Sequence, residues 1–157
     1  MAKIQPFLWF DNQAEEAANF YTSIFKNSQI NGITHYGEGA PHSAGSVMTV
    51  AFELDGLHLI ALNGGPHFKF NEAVSFLISA ETQAEIDHLW ERLSEGGKPG
   101  QCGWLKDKFG LSWQITPPIL SSLLGGADPV KSARVMQAML GMKKIIIADL
   151  QAAHDAN

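Results

Sequence analysis

Apolar and polar residues along the first sixty positions change period twice, from strand to helix and back to strand. Ile4 to Phe10 alternates and reads as a strand, with Ile4, Leu8 and Phe10 on one face and Gln5, Phe7 and Trp9 on the other. Ala14, Ala17, Ala18, Tyr21, Ile24 and Phe25 then recur at helical spacing. Asp11-Asn12 offers a cap before them, and Glu15-Glu16 sits where the helix dipole favours acid. A second strand covers Ile30 to Tyr36, and two more cover Ser46 to Leu54 and Leu57 to Leu62. Asp55-Gly56 joins the last two as a two-residue hairpin turn. That turn sets Phe52 opposite Leu59, Val50 opposite Ala61 and Glu53 opposite His58. Met48, Val50, Phe52, Leu59 and Ala61 thus make one apolar face suited to a helix. Thr49, Ala51, Glu53, His58, Ile60 and Leu62 make a mixed face turned the other way.

The order then repeats. Gln13-Ala14-Glu15 returns seventy positions later as Gln83-Ala84-Glu85, and the same offset takes Phe20 to Trp90. A strand is expected over Ala73 to Ser79 and a helix over Thr82 to Gly97, with Ile86, Leu89, Trp90 and Leu93 inward. Strands near Cys102 to Lys106 and Leu111 to Thr116 follow, joined through Asp107-Lys108-Phe109-Gly110, and a short extra strand is expected near Gly100. Pro117-Pro118 closes this half. A strand–helix–strands unit used twice predicts two modules related by pseudo-symmetry, module one over about 1–66 and module two over about 67–118. The segment 119–157 reads as a helical tail. Asp128-Pro129 is a cap and a first-turn proline, with helices over Val130 to Leu140 and Lys143 to Ala153. Met136, Met139, Met142 and Ile145 to Ile147 form an apolar strip with few evident internal partners, suited either to its own domain or to a second copy of the chain.

Composition narrows the partners. A chain of 157 residues with 45% hydrophobic and 17% charged positions is globular. A net charge of −5 and scattered lysines and arginines give no footprint for nucleic acid. No apolar run approaches the ~20 residues that span a bilayer. The single cysteine, Cys102, excludes an internal disulfide and fits the cytoplasm. It is expected to be buried and inert, because no activating base or helix terminus lies nearby.

The polar members of four strands fall on the face opposite the helices. If the sheets curl, that face is a small-molecule pocket lined by Gln5, Phe7, Trp9, Glu53, His58, Ser75 and Gln114, with Trp104 at its rim. His58 opposite Glu53 is the candidate proton-transfer pair, a histidine held in one tautomer by a carboxylate; an ordinary cross-strand polar pair is the plainer account. His42 and His67 lie in loops brought to one end, but two histidines without a carboxylate make an incomplete metal site.

Phe20-Tyr21, the Asp107-to-Gly110 hairpin, and the runs Phe68-Lys69-Phe70-Asn71-Glu72-Ala73-Val74-Ser75-Phe76, Cys102-Gly103-Trp104-Leu105-Lys106-Asp107 and Gly110-Leu111-Ser112-Trp113-Gln114 carry a family resemblance. Through them the chain closely resembles the PhnB-like branch of the vicinal oxygen chelate superfamily of glyoxalases, bleomycin-resistance proteins and extradiol dioxygenases. That branch often carries the name 3-demethylubiquinone-9 3-methyltransferase, and the methionine-rich tail also resembles it. The resemblance implies an α+β fold of paired βαβββ modules, a curved, mainly antiparallel sheet enclosing a cavity, a C-terminal helical tail, and a homodimer. Metal enzymes of the superfamily take ligands from the first and last strands of each module, which here correspond to Gln5, about Ile60, Ser75 and Gln114. Those residue types predict no metal and no cofactor. The expected function is binding of a small organic ligand between the modules. The alternatives are an enzyme using His58 and Glu53 or an atypical metal arrangement, and a methyltransferase as the family name states. Methyl transfer lacks the glycine-rich turn entering a helix that a doubly wound fold would supply.

Overall fold

A computed structural model describes residues 3–157. It separates into two compact units, one running to Phe70 and the other spanning Asn71–Asn157. Unit one contains β1 (Phe7–Phe10), α1 (Ala14–Ile24), β2 (Ser28–His35), β3 (Val47–Leu54) and β4 (Leu57–Asn63). Its four-stranded sheet has the order β1-β4-β3-β2, with β1 parallel to β4 and the other pairs antiparallel. Unit two opens with β5 (Ser75–Ser79), α2 (Gln83–Ser94), β6 (Lys98–Pro99), β7 (Trp104–Lys106) and β8 (Ser112–Thr116). Its sheet follows the same scheme, β5-β8-β7-β6 with β5 parallel to β8. The repeat read from Gln13-Ala14-Glu15 and Gln83-Ala84-Glu85 is therefore a repeat of topology.

The hairpin register is as the Asp55-Gly56 turn predicts. Phe52 faces Leu59, Val50 faces Ala61 and Glu53 faces His58. Both turn residues have positive φ, 47° at Asp55 and 88° at Gly56, which is the geometry that matches strand twist. Val50, Phe52, Leu59 and Ala61 are buried under α1, whose Ala14, Ala17, Ala18, Tyr21 and Ile24 are also buried. The Tyr21 ring stacks on Phe52 with centroids 6.2 Å apart. The three small alanines let the helix come close, and the two aromatics fill the centre of the layer.

Several boundaries differ from the sequence pattern for local reasons. The first strand begins at Phe7, not Ile4, because Pro6 has no N–H to give the ladder. Ile4 is 98% exposed and outside the core. Asp11-Asn12 does not cap α1; the Asn63 side chain, at the end of β4, accepts from Ala14 N at 2.8 Å and donates to Val47 O at 3.1 Å. In the second unit an Asx turn, Ala73 N to Asn71 Oδ1 at 2.9 Å, delays the strand to Ser75. Cys102 and Gly103 have φ of 58° and 84°, so the strand expected from Cys102 starts only at Trp104. Trp90 is half-buried, while Ile86, Leu89 and Leu93 carry the packing of α2.

The tail holds three helices, α3 (Ile119–Leu124), α4 (Pro129–Leu140) and α5 (Ile147–Asp155). Asp128 caps α4 by accepting from Val130 N and Lys131 N. The apolar strip does have internal partners. Ile145 is buried with Leu123, Val135 and Leu150, and Met139 and Met142 pack against that cluster. Met142 O and Lys143 O accept from Cys102 N and Gly103 N at 2.8 Å each. The Gln83 side chain donates to Ile145 O and accepts from Ile147 N. The tail is thus tied by hydrogen bonds to the βαβββ part of its own unit. Among the described residues no helix is long and apolar enough to cross a membrane.

Candidate functional site

In unit one the face turned away from α1 carries Phe7, Trp9, Glu53, His58 and Ile60. Phe7 is 57% exposed, beside Ile60 in the parallel register. Trp9 is committed to its own loop. Its Nε1 donates to Gly65 O at 2.9 Å, and Phe68 meets its ring edge-on at 4.9 Å. The indole lies so close over Gly64 that a Cβ there would stand 2.4 Å from the ring. Gln5 is exposed and precedes the strand.

His58 Nε2 stands 3.7 Å from Glu53 Oε2, with the imidazole side chain 55% exposed. That distance is too long for a hydrogen bond. The other Glu53 oxygen accepts from Gln29 Nε2 at 2.6 Å. The carboxylate is therefore positioned by β2 as much as by the histidine. At the opposite end of this hairpin His42 stacks on Tyr36 with centroids 4.5 Å apart, and both His42 and His67 lie beside Gly65.

In unit two the corresponding face is built by β5, β8, β7 and β6. Gln114 Nε2 donates to Ser75 Oγ at 3.0 Å, so the two residues satisfy each other across the parallel pair. Trp104 lies opposite Gln114 and Lys106 opposite Ser112. Beside them a recess of about 230 Å³ opens, lined by Glu72, Lys98, Trp104, Leu105, Lys106 and Ser112 together with Pro99 and Gly100. Glu72 forms an ion pair with Lys106. The Lys106 ammonium, mainly by hydrogen bonding to the carboxylate, holds the Glu72 pKa below its ordinary value. Ser112 is 1% exposed, and its Oγ makes no hydrogen bond among the described residues. A buried hydroxyl left in that state costs about 1–3 kcal/mol.

This recess was only partly legible in the sequence. Leu111, Trp113 and Ile115 alternate with Ser112, Gln114 and Thr116, which puts Ser112 on the polar face with Gln114, and Trp104 is expected at a rim. Lys98, Lys106 and Glu72 gave no signal, because their approach depends on the edge pairing of β6 and on the turn before β5. Cys102 is partly exposed rather than buried, since the positive-φ turn lifts it out of the strand.

The four positions corresponding to the superfamily's metal ligands do not fit a metal. Gln114 presents its amide N–H to Ser75, Ile60 is a hydrocarbon, and Gln5 stands exposed ahead of its strand. Two amides, a hydroxyl and a sec-butyl chain offer neither the imidazole nor the carboxylate that divalent transition metals favour. Among the described residues no three His, Cys, Asp or Glu side chains group in a way that could hold an ion.

Comparison with known proteins agrees with this architecture. No curated protein matches the sequence. A PhnB protein of Bacillus cereus, provisionally described as a 3-demethylubiquinone-9 3-methyltransferase, is 37% identical; the match covers 74% of this chain and 99% of that one, with a TM-score of 0.68. The fosfomycin resistance protein FosX of Mesorhizobium loti shares the fold at 11% identity, with a TM-score of 0.57 over 80% of this chain and 98% of that one. FosX of Listeria monocytogenes, whose structure holds Mn(II) and sulfate, gives a TM-score of 0.52 at 15% identity over 79% and 95% of the two chains. The family model described as 3-demethylubiquinone-9 3-methyltransferase matches residues 2–116, which takes in both βαβββ modules and stops before the helical tail. The resemblance extended above to the tail therefore has no support in that match. With its duplicated topology and this match, the chain belongs to the 3-demethylubiquinone-9 3-methyltransferase family, and it is PhnB-like.

Proposed function

We propose that the chain is a metal-independent binding protein that takes a small organic ligand on the helix-free faces of its sheets. The observation that carries this is the segregation in unit two. Apolar Leu111, Trp113 and Ile115 are buried on the helix side. Ser75, Gln114 and Trp104 sit on the other face, beside a recess of about 230 Å³. A concave, mostly apolar surface with a few fixed polar groups is what small-molecule recognition uses. Phe7 supplies exposed apolar surface on the equivalent face of unit one, where Gln5 and Trp9 also belong. A homodimer working in the reducing cytoplasm completes the assignment, and the lone thiol fits that compartment.

The second candidate is an enzyme in which His58 moves a proton and Glu53 orients it. The register that sets the two residues opposite each other favours it. The 3.7 Å separation and the engagement of Glu53 by Gln29 place it behind ligand binding. Methyl transfer rests on the family description alone. Gly64-Gly65 runs into Pro66 and opens no helix, and neither sheet is of the doubly wound parallel kind.

Native mass spectrometry of freshly purified full-length chain, with elemental analysis of the same sample, tests the proposal. The expected result is a small-molecule adduct released on denaturation, without stoichiometric zinc, nickel, iron or manganese. One tightly held metal per chain, lost in Gln114→Ala, would refute the metal-independent assignment. Turnover of an identified ligand that disappears in His58→Ala would transfer the assignment to the enzyme.

A further inference from the structure

The recess in unit two has a charge pattern that specifies more than a generic ligand. Lys98 and Lys106 are directly opposite each other in the β6–β7 register, so both side chains leave the sheet on one face. Like charges placed opposite on a ladder repel. Glu72 meets Lys106, whereas Lys98 makes no ion pair among the described residues. Ser112 follows Lys106 across the next pair, on the same face, and its buried hydroxyl has no partner among the described residues. Native proteins leave few polar groups in that condition. Two ammonium groups, one carboxylate and one free hydroxyl around a single recess leave it with a positive charge and an unused hydrogen-bond donor.

We propose that this recess binds the oxyanion head of a small organic acid, held by Lys98, Lys106 and Ser112, with the acid's planar apolar body against Trp104. This rests on the ligand-binding function proposed above and gives it a ligand class. Glu72 is the intramolecular competitor. It occupies Lys106 in the free protein, and an incoming carboxylate or phosphate takes over that ammonium by forming stronger, more numerous charge-assisted hydrogen bonds. The Ser112 proton turns to the same head. The recess volume of about 230 Å³ suits an acid the size of a substituted benzene ring and is too small for a dinucleotide.

Titration calorimetry of the full-length chain at low salt, with benzoate, phenyl phosphate and the neutral isostere benzamide, tests the proposal. At least one of the two acids should bind about ten-fold or more tightly than benzamide, as charge-assisted contacts imply. The better acid identifies a carboxylate or a phosphate head. Lys106→Met should weaken that acid by about ten-fold, and Glu72→Gln should strengthen it by removing the competitor. Ser112→Ala should weaken the acid yet leave the unfolding temperature unchanged or raised, because it deletes an unsatisfied buried hydroxyl; a purely structural serine would lower it. Equal binding of benzamide and both acids, indifferent to Lys106→Met, overturns the anion assignment and leaves ligand binding standing. So does Glu72→Gln lowering acid affinity. Failure of all three probes, together with failure of a metabolite library to bind the same protein, overturns both.

Discussion

Removing the Asp107 carboxylate is the sharpest test of how this fold builds its second sheet. Asp107 is 3% exposed, between β7 and β8. One oxygen accepts from Phe109 N at 2.9 Å and Leu111 N at 3.1 Å, and the other from the Trp113 indole N–H at 2.9 Å. The same side chain therefore closes the hairpin and fastens the large aromatic of β8. Asp107→Ala strips the partner from the buried Leu111 N and Trp113 Nε1. Each buried donor left unpaired costs about 1–3 kcal/mol, and bonds to a charged acceptor lie at the upper end. A total near 4 kcal/mol is the expectation, a large share of the ~5–15 kcal/mol that holds a domain together. At this chain length about 2–4 °C is lost per kcal/mol, so thermal unfolding followed by far-ultraviolet circular dichroism should drop by roughly 10 °C. Asp107→Asn should recover only part of that, since its NH₂ faces N–H donors. Near-ultraviolet dichroism should show the Trp113 environment loosened in both. A loss below about 1 kcal/mol in Asp107→Ala would refute the view that this carboxylate organises the hairpin.

Three further outcomes follow from the same geometry. Gly64→Ala sets a Cβ 2.4 Å from the Trp9 ring, so the indole must shift and give up its bond to Gly65 O; a loss of about 1–3 kcal/mol, with an altered tryptophan emission spectrum, is expected. Glu72 has its pKa lowered in the folded chain, so the stability it contributes is present above its ordinary value of 4.5 and is lost as pH falls through the depressed folded value; Glu72→Gln should therefore flatten the acid limb of a stability–pH curve below about pH 4.5, and an unchanged limb would remove the Lys106 pair as its cause. Light scattering should give twice the 17.1 kDa chain mass, and because Met136 and Leu140 remain 39% and 53% exposed on α4, Met136→Glu with Leu140→Glu should shift that mass toward the single chain if the tail takes part.

What the sequence determined by itself was parity and order. The Asp55-Gly56 turn has one favoured geometry, and from it the pairing of Glu53 with His58 and of Phe52 with Leu59 followed without further information. Helical spacing on Ala14 to Ile24 and the Asp128-Pro129 cap are likewise local, since each depends on residues within one or two turns. The duplicated Gln-Ala-Glu helix starts announced the repeated βαβββ topology, and the motif runs announced the family. Only the tertiary structure decided which distant groups satisfy one another. Asn63, not Asp11 or Asn12, caps α1, because the parallel β1–β4 pairing brings the end of β4 to the helix start. Gln83 holds the tail across a separation of more than sixty residues, and Ile145, Met139 and Met142 found partners in α3 and α5 that their spacing did not reveal. The same holds at the candidate site. Alternation could place Ser112 on a face, but it could not show that Lys98 would arrive opposite Lys106, that Glu72 would take one ammonium, or that the Ser112 hydroxyl would be buried without a partner among the described residues. Side-chain periodicity reports direction along one strand. Burial and hydrogen-bond satisfaction are properties of what stands opposite, and strand pairing over long sequence separations supplies that neighbour.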